Sequence, residues 1–229
     1  MDLHIFDVEH GQCALLRCDN NTDILIDCGH SRNLGWQPGD YLRSVGIASV
    51  ETLFVTNYDE DHVSGLPNLM NYMTPLWMVR NPTVSPQILR SLKTEDGYGN
   101  GIDTLIDLMK TEGPSSPTNQ PPIFEGLVWE AFHAPYPVFD DENNLSMAVF
   151  LKCHGIGVLF TGDLEVKGWR NLLCLPSFRE ILGQTNVLVA SHHGRDSGCC
   201  DEVFNYCAPF YTVISDCGYK YDTQQTVPY

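Results

Sequence analysis

Apolar runs and helical spacings alternate along the first half of the chain. Five short runs, rich in branched residues and bounded by turn residues, have the pattern of strands. These predicted strands are Leu3–Val8, Cys13–Cys18, Asp23–Asp27, Glu51–Thr56 and Leu76–Arg80. Between and after them, apolar residues three or four positions apart predict helices. The predicted helices are Gly39–Val45, Leu66–Tyr72, Pro86–Lys93 and Ile102–Lys110.

The second half repeats this rhythm after Gly113–Pro122, a segment with four prolines that is predicted to be a loop. Its predicted strands are Leu127–His133, Met147–Lys152, Gly157–Phe160, Val187–Ala190 and Phe210–Ser215. Its predicted helices are Trp169–Cys174, Phe178–Leu182 and Asp201–Cys207. Because each half has strands followed by helix–strand units, we expect two sheets packed face to face with helices outside. We expect residues 1–229 to form one domain.

Polar side chains stand directly after several predicted strands, where a rigid scaffold passes into functional loops. The largest group is the loop Asn57–His62. Alternate residues of an extended segment point the same way, so Asn57, Asp59 and Asp61 are predicted to face one point. The following bend would turn His62 in as well. Carboxylates and an imidazole converging in this way are ligands for a divalent metal, whereas the alternative is a turn with local backbone hydrogen bonds.

Other strand ends supply Asp27, Asp163 and the pair His192-His193. Asp163 follows a glycine, and its two oxygens suit a bridge between two cations; the alternative is an N-cap for the next helix. Adjacent histidines usually point apart, so at most one of His192 and His193 is predicted to bind a given metal. Together these strand ends strengthen the prediction of a metal site in the loops.

The order of these motifs resembles the metallo-β-lactamase superfamily. Leu-Ile-Asp27-Cys-Gly comes first, then Asp61-His62, then Thr-Gly-Asp163, and then Ser-His-His-Gly. The branch that the chain most resembles contains the hydrolase-like domain of the competence DNA-uptake channel (ComEC) and its stand-alone relatives. The opening segment Phe6–Cys13 and the segment Asn144–Val149 are similar to motifs of that branch. The resemblance implies an αββα sandwich of two mixed sheets flanked by helices.

The resemblance also implies a metal centre, with departures. The superfamily pattern is His-x-His-x-Asp-His, and Asn57 and Asp59 replace its two leading histidines. A further histidine is absent from a later strand, near Asn143 and Asn144. The surviving ligands imply one tightly held ion, zinc or manganese. They are Asp61, His62, Asp163 and one of His192 and His193, with Asp27 orienting a ligand from behind.

A second, weaker metal would depend on oxygen ligands, namely Asp59 with the shared Asp163 and weakly Asn57. Such a ligand set favours Mn²⁺ or Mg²⁺ over Zn²⁺. His10, His30 and His133 lie close in sequence to these loops and are alternatives for the missing imidazoles.

Two functions compete at this point. In the first, the protein is a metal-dependent hydrolase that attacks a phosphodiester or other phosphate ester with a metal-bound hydroxide. Asp61 or Asp59 would then accept the proton of the attacking water. In the second, the site is degenerate and the domain is a binding or regulatory module without catalysis. The loss of three ligands favours the module, and the retention of a costly cluster of carboxylates favours the hydrolase.

Composition narrows the choice of partners. With 29 acidic and 13 basic residues the formal net charge is −16, which favours a small anionic substrate over a long nucleic acid. No apolar stretch is long enough to span a membrane, and the first residues lack the pattern of a signal peptide. The nine scattered cysteines then favour a cytoplasmic location with reduced thiols. Since the chain stops soon after its last predicted strand, we expect a further C-terminal portion to be missing.

Overall fold

Ten strands form two five-stranded sheets in a computed structural model that describes residues 1–94, 97–111 and 124–216. The first sheet has the order β1 (Asp2–Ile5), β2 (Ala14–Arg17), β3 (Asp23–Ile26), β4 (Thr52–Phe54) and β5 (Trp77–Val79). The second has the order β6 (Leu127–His133), β7 (Met147–Cys153), β8 (Ile156–Phe160), β9 (Val187–Val189) and β10 (Tyr211–Val213). In each sheet the first three strands pair antiparallel and the last three pair parallel. The two halves of the chain therefore share one topology.

Helices cover the outer face of each sheet. Those of the first half are α1 (Pro38–Ser44), α2 (Glu60–Val63), α3 (Leu66–Met70), α4 (Pro86–Leu92) and α5 (Asn100–Thr111). Those of the second half are α6 (Val166–Leu173) and α7 (Pro176–Leu182). Three short 3₁₀ segments follow β9, at Ser191–Gly194, Asp196–Gly198 and Asp201–Asn205. Among the described residues, no helix combines the length and the apolar character needed to cross a bilayer.

The side chains of β3 show how the layers are built. Ile24 and Ile26 pack into a cluster between the two sheets, whereas Leu25 packs into the layer beneath the helices of the first half. Because both faces of the strand are covered, all four of its residues are buried and it has no polar face. A third cluster, which includes Phe150 and Trp169, lies between the second sheet and its helices. The predicted αββα sandwich is confirmed.

Two local predictions differ from the structure. The segment Asp201–Cys207, predicted as a helix, forms only the 3₁₀ segment Asp201–Asn205. The loop Asn57–His62, predicted to be extended, enters α2 at Glu60, so the alternation of its side chains stops at Asp59. The predicted loop Gly113–Pro122 and the chain end beyond Asp216 lie outside the described residues.

The layer between the sheets is expected to carry much of the stability. Phe54 is fully buried there and packs edge-on against Trp129, with 5.2 Å between ring centroids. We expect Phe54→Ala to lower the free energy of unfolding by about 3–5 kcal/mol, because it removes the ring and leaves a cavity. The matched control is Val128→Thr on β6, where the side chain is 59% exposed, with an expected change within about 0.5 kcal/mol. Equal losses in urea unfolding would contradict this view of the core.

Candidate metal centre

Four strand ends meet at one edge of the sandwich. Asp27 follows β3, Thr56 lies just beyond β4, Asp163 lies just beyond β8, and His193 lies just beyond β9. The two sheets are joined there by a backbone hydrogen bond from Met147 N to the carbonyl oxygen of Thr56 at 2.7 Å. A second bond, from His192 N to the carbonyl oxygen of Gly162 at 3.1 Å, joins the ends of β8 and β9 within the second sheet. The duplicated topology thus brings residues from both halves of the chain to one place.

Asp27 is a fully buried carboxylate that fixes the orientation of His62. Its Oδ1 accepts a hydrogen bond from Thr56 N at 2.7 Å, and its Oδ2 accepts one from the Thr56 hydroxyl. His62 Nδ1 donates to the same Oδ2 at 2.8 Å, which leaves His62 Nε2 facing Asp163 Oδ1 at 3.1 Å. A carboxylate behind an imidazole is the arrangement that holds histidine ligands at metal sites.

His193 and Asp61 complete the cluster around Asp163. His193 Nε2 lies 3.5 Å from Asp163 Oδ1 and 3.2 Å from Asp61 Oδ2. Metal–ligand bonds of 2.0–2.1 Å in a tetrahedral site put neighbouring ligand atoms about 3.4 Å apart, so separations of this size fit ligands of one ion. Among the described residues, the ligand atoms close enough to share an ion form two groups that have His193 in common, one with His62 and Asp163 and the other with Asp61 and His10. His193 Nε2 is also buried, and no described residue meets it with good hydrogen-bond geometry. A divalent cation would satisfy that nitrogen, and the donor set therefore fits a metal ion.

The electrostatics of the cluster keep its carboxylates charged. Burial alone would raise the pKa of Asp163, but His62 and His193 outweigh it and hold that pKa well below its usual range. Burial alone would lower the pKa of His193, but Asp163 and Asp61 raise it to about 9. The carboxylates therefore draw positive charge to a buried point, and a metal ion bound there would take the place of the imidazole protons.

The structure distinguishes the two adjacent histidines. Both have left-handed backbones, with φ of 50° at His192 and 55° at His193, and their rings diverge by 67°. His192 hydrogen-bonds through Nδ1 to Ser197 Oγ at 2.9 Å and through Nε2 to Arg195 Nη1 at 3.3 Å. His193 is the one brought to Asp61 and Asp163.

Asn57 is not brought to the cluster. Its side-chain amide donates to Ser146 Oγ at 2.9 Å and to the carbonyl oxygen of Glu142 at 3.3 Å, while its Oδ1 accepts from Asp59 N. Hydrogen bonds of this kind are typical of a turn, and a turn was the alternative to a metal-binding role for this loop. Helix α2 then redirects the chain, so that Asp61 reaches the cluster and Asn57 does not.

Asp59 has a partner that the sequence analysis missed. The ammonium of Lys93, which follows α4, forms an ion pair with Asp59 Oδ1 and lies 3.1 Å from Glu142 Oε1. Burial raises the pKa of Asp59, and the nearby Asp163 and Asp61 act in the same direction. Nothing in the local sequence marks Lys93, because a lysine at the end of a helix is common.

Of the three histidines considered as substitutes, only His10 lies at the cluster. Its Nε2 is 3.5 Å from Asp61 Oδ2, and its ring centroid is 4.2 Å from that of His193. Its Nδ1 donates to Asp216 at 3.0 Å, and Arg195 Nη2 lies 3.1 Å from its Nε2. His30 is instead hydrogen-bonded to Ser64, and among the described residues His133 belongs to no group of ligand atoms close enough to share an ion.

Two further residues hold Asp163 in place. Ser146 Oγ accepts a hydrogen bond from Asp163 N at 3.0 Å as well as the one from Asn57. Gly162 has φ of +53°, and a Cβ there would lie 2.8 Å from the carbonyl oxygen of Thr56. Only glycine accommodates both the conformation and the close approach. Asn144 has a structural role, because its Oδ1 accepts from Gly168 N at 2.7 Å.

A family model identifies the family of this chain, and several solved structures are similar to it. A family model described as the metallo-beta-lactamase superfamily matches residues 6–169. A metallo-beta-lactamase HARLDQ motif mutant from Cronobacter sakazakii is 13% identical, with a TM-score of 0.49 over 81% of this chain and 75% of that one. The short form of human tRNase Z is 14% identical, with a TM-score of 0.48 over 98% of both chains.

Zn²⁺-bound PqqB from Methylobacterium extorquens is 14% identical, with a TM-score of 0.42 over 78% of this chain and 58% of that one. A search of curated proteins gave no match. The family model spans well over half of the chain, from the opening motif to beyond Asp163. The chain therefore belongs to the metallo-beta-lactamase superfamily, whose members are generally metal-dependent hydrolases and typically bind divalent metals.

Proposed function

We propose that this protein is a metal-dependent hydrolase of phosphate esters, with phosphodiesters as the favoured substrates. The carrying observation is the convergence of His62, Asp163 and His193, three buried residues whose ligand atoms all lie within 4.8 Å of one another. With Asp61 these residues would hold one divalent ion, zinc or manganese. Such an ion lowers the pKa of water from 15.7 to about 7 and polarises the scissile bond.

Asp61 is the residue that we assign to accept the proton of the attacking water. Its carboxylate is 22% exposed, so it faces the solvent side of the cluster, whereas Asp163 is buried. The pKa of Asp61 is lowered to about 2, because His193 and His62 outweigh the effect of burial. Asp59, the other candidate, is ion-paired with Lys93. A general base must lie within hydrogen-bond reach of the proton it removes, which favours the side chain at the cluster.

Arg195 supports an anionic substrate. Its guanidinium group contacts His10 and His192, at 3.1 and 3.3 Å, and so lies at the rim of the cluster. Guanidinium groups suit phosphate oxygens because they donate two parallel hydrogen bonds. A net charge of −16 favours a small substrate over a long nucleic acid. The segments Phe6–Cys13 and Asn144–Val149, which resemble motifs of the competence-channel branch, also favour a phosphate ester as the substrate. This resemblance to the branch rests on the sequence alone.

A binding or regulatory module without catalysis is the second candidate. It is favoured by the ion pair between Lys93 and Asp59, which engages a carboxylate that a second metal would need. The two candidates differ in turnover and not in metal binding.

Hydrolysis of bis(p-nitrophenyl) phosphate by the metal-loaded protein tests the catalytic proposal. We expect Asp61→Asn to lower kcat by about 10²–10⁴-fold, because an amide does not accept the proton. Metal content is measured in parallel so that kcat values are compared at equal loading. The control is Asp107→Asn on the exposed face of α5, which should retain full activity. If metal-loaded protein hydrolyses no phosphodiester, phosphomonoester or thioester with any divalent ion, the binding module is correct.

Asp163 should be the residue on which metal retention depends most, because its carboxylate faces both His62 and His193. The wild-type protein is expected to retain about one equivalent of metal after dialysis, and Asp163→Asn to retain almost none. Cys199 lies between two of the 3₁₀ segments that follow β9, and Cys199→Ser should leave metal retention unchanged. Similar losses in both variants would show that the site is misplaced.

Asp27 is expected to act on the metal through His62. Asp27→Asn keeps the shape of the side chain but removes the charge that orients the imidazole. Because partners behind a ligand tune its affinity, metal binding should weaken by about 10–100-fold, as measured by competition with a chelator. Asp19→Asn, at an exposed carboxylate, serves as the control. An unchanged affinity in Asp27→Asn would contradict the role of the Asp27–His62 bond.

A further inference from the structure

A buried ammonium group lies beside the metal cluster. The side chain of Lys93 is only 9% exposed, and its Nζ contacts Asp59 Oδ1 and lies 3.1 Å from Glu142 Oε1. A lysine removed from water in this way is stable only when it is paired and hydrogen-bonded. Here its two partners come from different halves of the chain, so the ammonium also ties the halves together across the site.

A short series of contacts connects this ammonium to the cluster. Asp59 N donates to Asn57 Oδ1, and the amide of Asn57 donates to Ser146 Oγ. The same hydroxyl oxygen accepts the hydrogen bond from Asp163 N. Lys93 therefore pairs with Asp59, which two bridging residues, Asn57 and Ser146, connect to the metal ligand Asp163.

The ammonium stands where the sequence predicts a second metal ion. That prediction rested on oxygen ligands from Asp59 and Asn57, and both are engaged, Asp59 by Lys93 and Asn57 by Ser146. We propose that Lys93 is a built-in cation that takes the place of a second metal ion, so that the centre holds one divalent ion and one ammonium. The inference rests on the metal-binding part of the proposed function and is independent of hydrolysis.

A fixed ammonium differs from a metal ion in two ways that matter here. It carries a single charge on a covalent tether, so no chelator removes it and no change in metal supply replaces it. It also has donors but no vacant coordination position, so it offers no place for a second water. Without the ammonium of Lys93, the carboxylates of Asp59 and Glu142 would be free to act as metal ligands. A ligand pair that offers only hard oxygen atoms favours Mn²⁺.

Counting bound manganese by equilibrium dialysis tests this inference. We expect Lys93→Ser to bind about one more equivalent of Mn²⁺ than the wild-type protein, because it frees both carboxylates and opens space between them. Lys93→Arg keeps the positive charge and should show no gain. Lys110→Ser is the matched control, since Lys110 is an exposed lysine that pairs with Asp107 and lies away from the cluster. A folded Lys93→Ser variant that binds no additional manganese would overturn the proposal.

A second variant decides the question if Lys93→Ser does not fold. Asp59→Asn preserves the shape of the side chain, and with Lys93 in place it should leave the manganese count of the wild-type protein unchanged. Loss of one equivalent would show that Asp59 holds a metal ion, and the proposal would be wrong. Because both measurements count ions, a protein that binds metal but hydrolyses nothing would refute the catalytic proposal without affecting this one.

Discussion

Two carboxylates, those of Asp27 and Asp163, are withdrawn from water at one edge of the sandwich beside the partly exposed Asp61, and they require compensating positive charge. Unpaired buried charges are among the most destabilising features that a fold can contain. His62 and His193 provide part of this charge, and each has a pKa raised above its ordinary value by these carboxylates, against the opposing effect of burial. The cluster is therefore a stable anionic cage only while cations are present, and this is the physical basis for a metal centre.

The duplicated sheet topology makes that cage possible. In each half, parallel pairing brings two strand ends to the same edge, and the face-to-face packing of the sheets places the four ends together. The ligands arrive from separate elements, His62 from α2 and Asp163 from the turn after β8. Backbone bonds such as Met147 N to Thr56 O couple these elements directly. Rigid strands buried on both faces thus position side chains that are distant in the sequence.

The sequence contains most of the fold because strands buried on both faces are continuous apolar runs, as in β3 and β4. It also indicates Asp27, Asp163 and His62, because each follows such a run. It does not separate His192 from His193, since their left-handed backbones depend on the surrounding structure. Lys93 was not predictable, because its partner Asp59 lies 34 residues away and no local pattern connects them.

The charge balance of the site bears on the proposed substrate. The carboxylates around it are those of Asp27, Asp59, Asp61, Asp163, Glu142 and Asp216, against Lys93, Arg195 and the divalent ion that we propose. With neutral imidazoles the negative charges of these groups exceed the positive charges. A dianionic monoester would meet stronger repulsion there than a monoanionic diester, and the difference grows in a partly desolvated site. Lys93 reduces this repulsion by neutralising part of the acidic set, and for a singly charged phosphate the remaining repulsion is smaller, which is the electrostatic reason for proposing a phosphodiester and not a monoester.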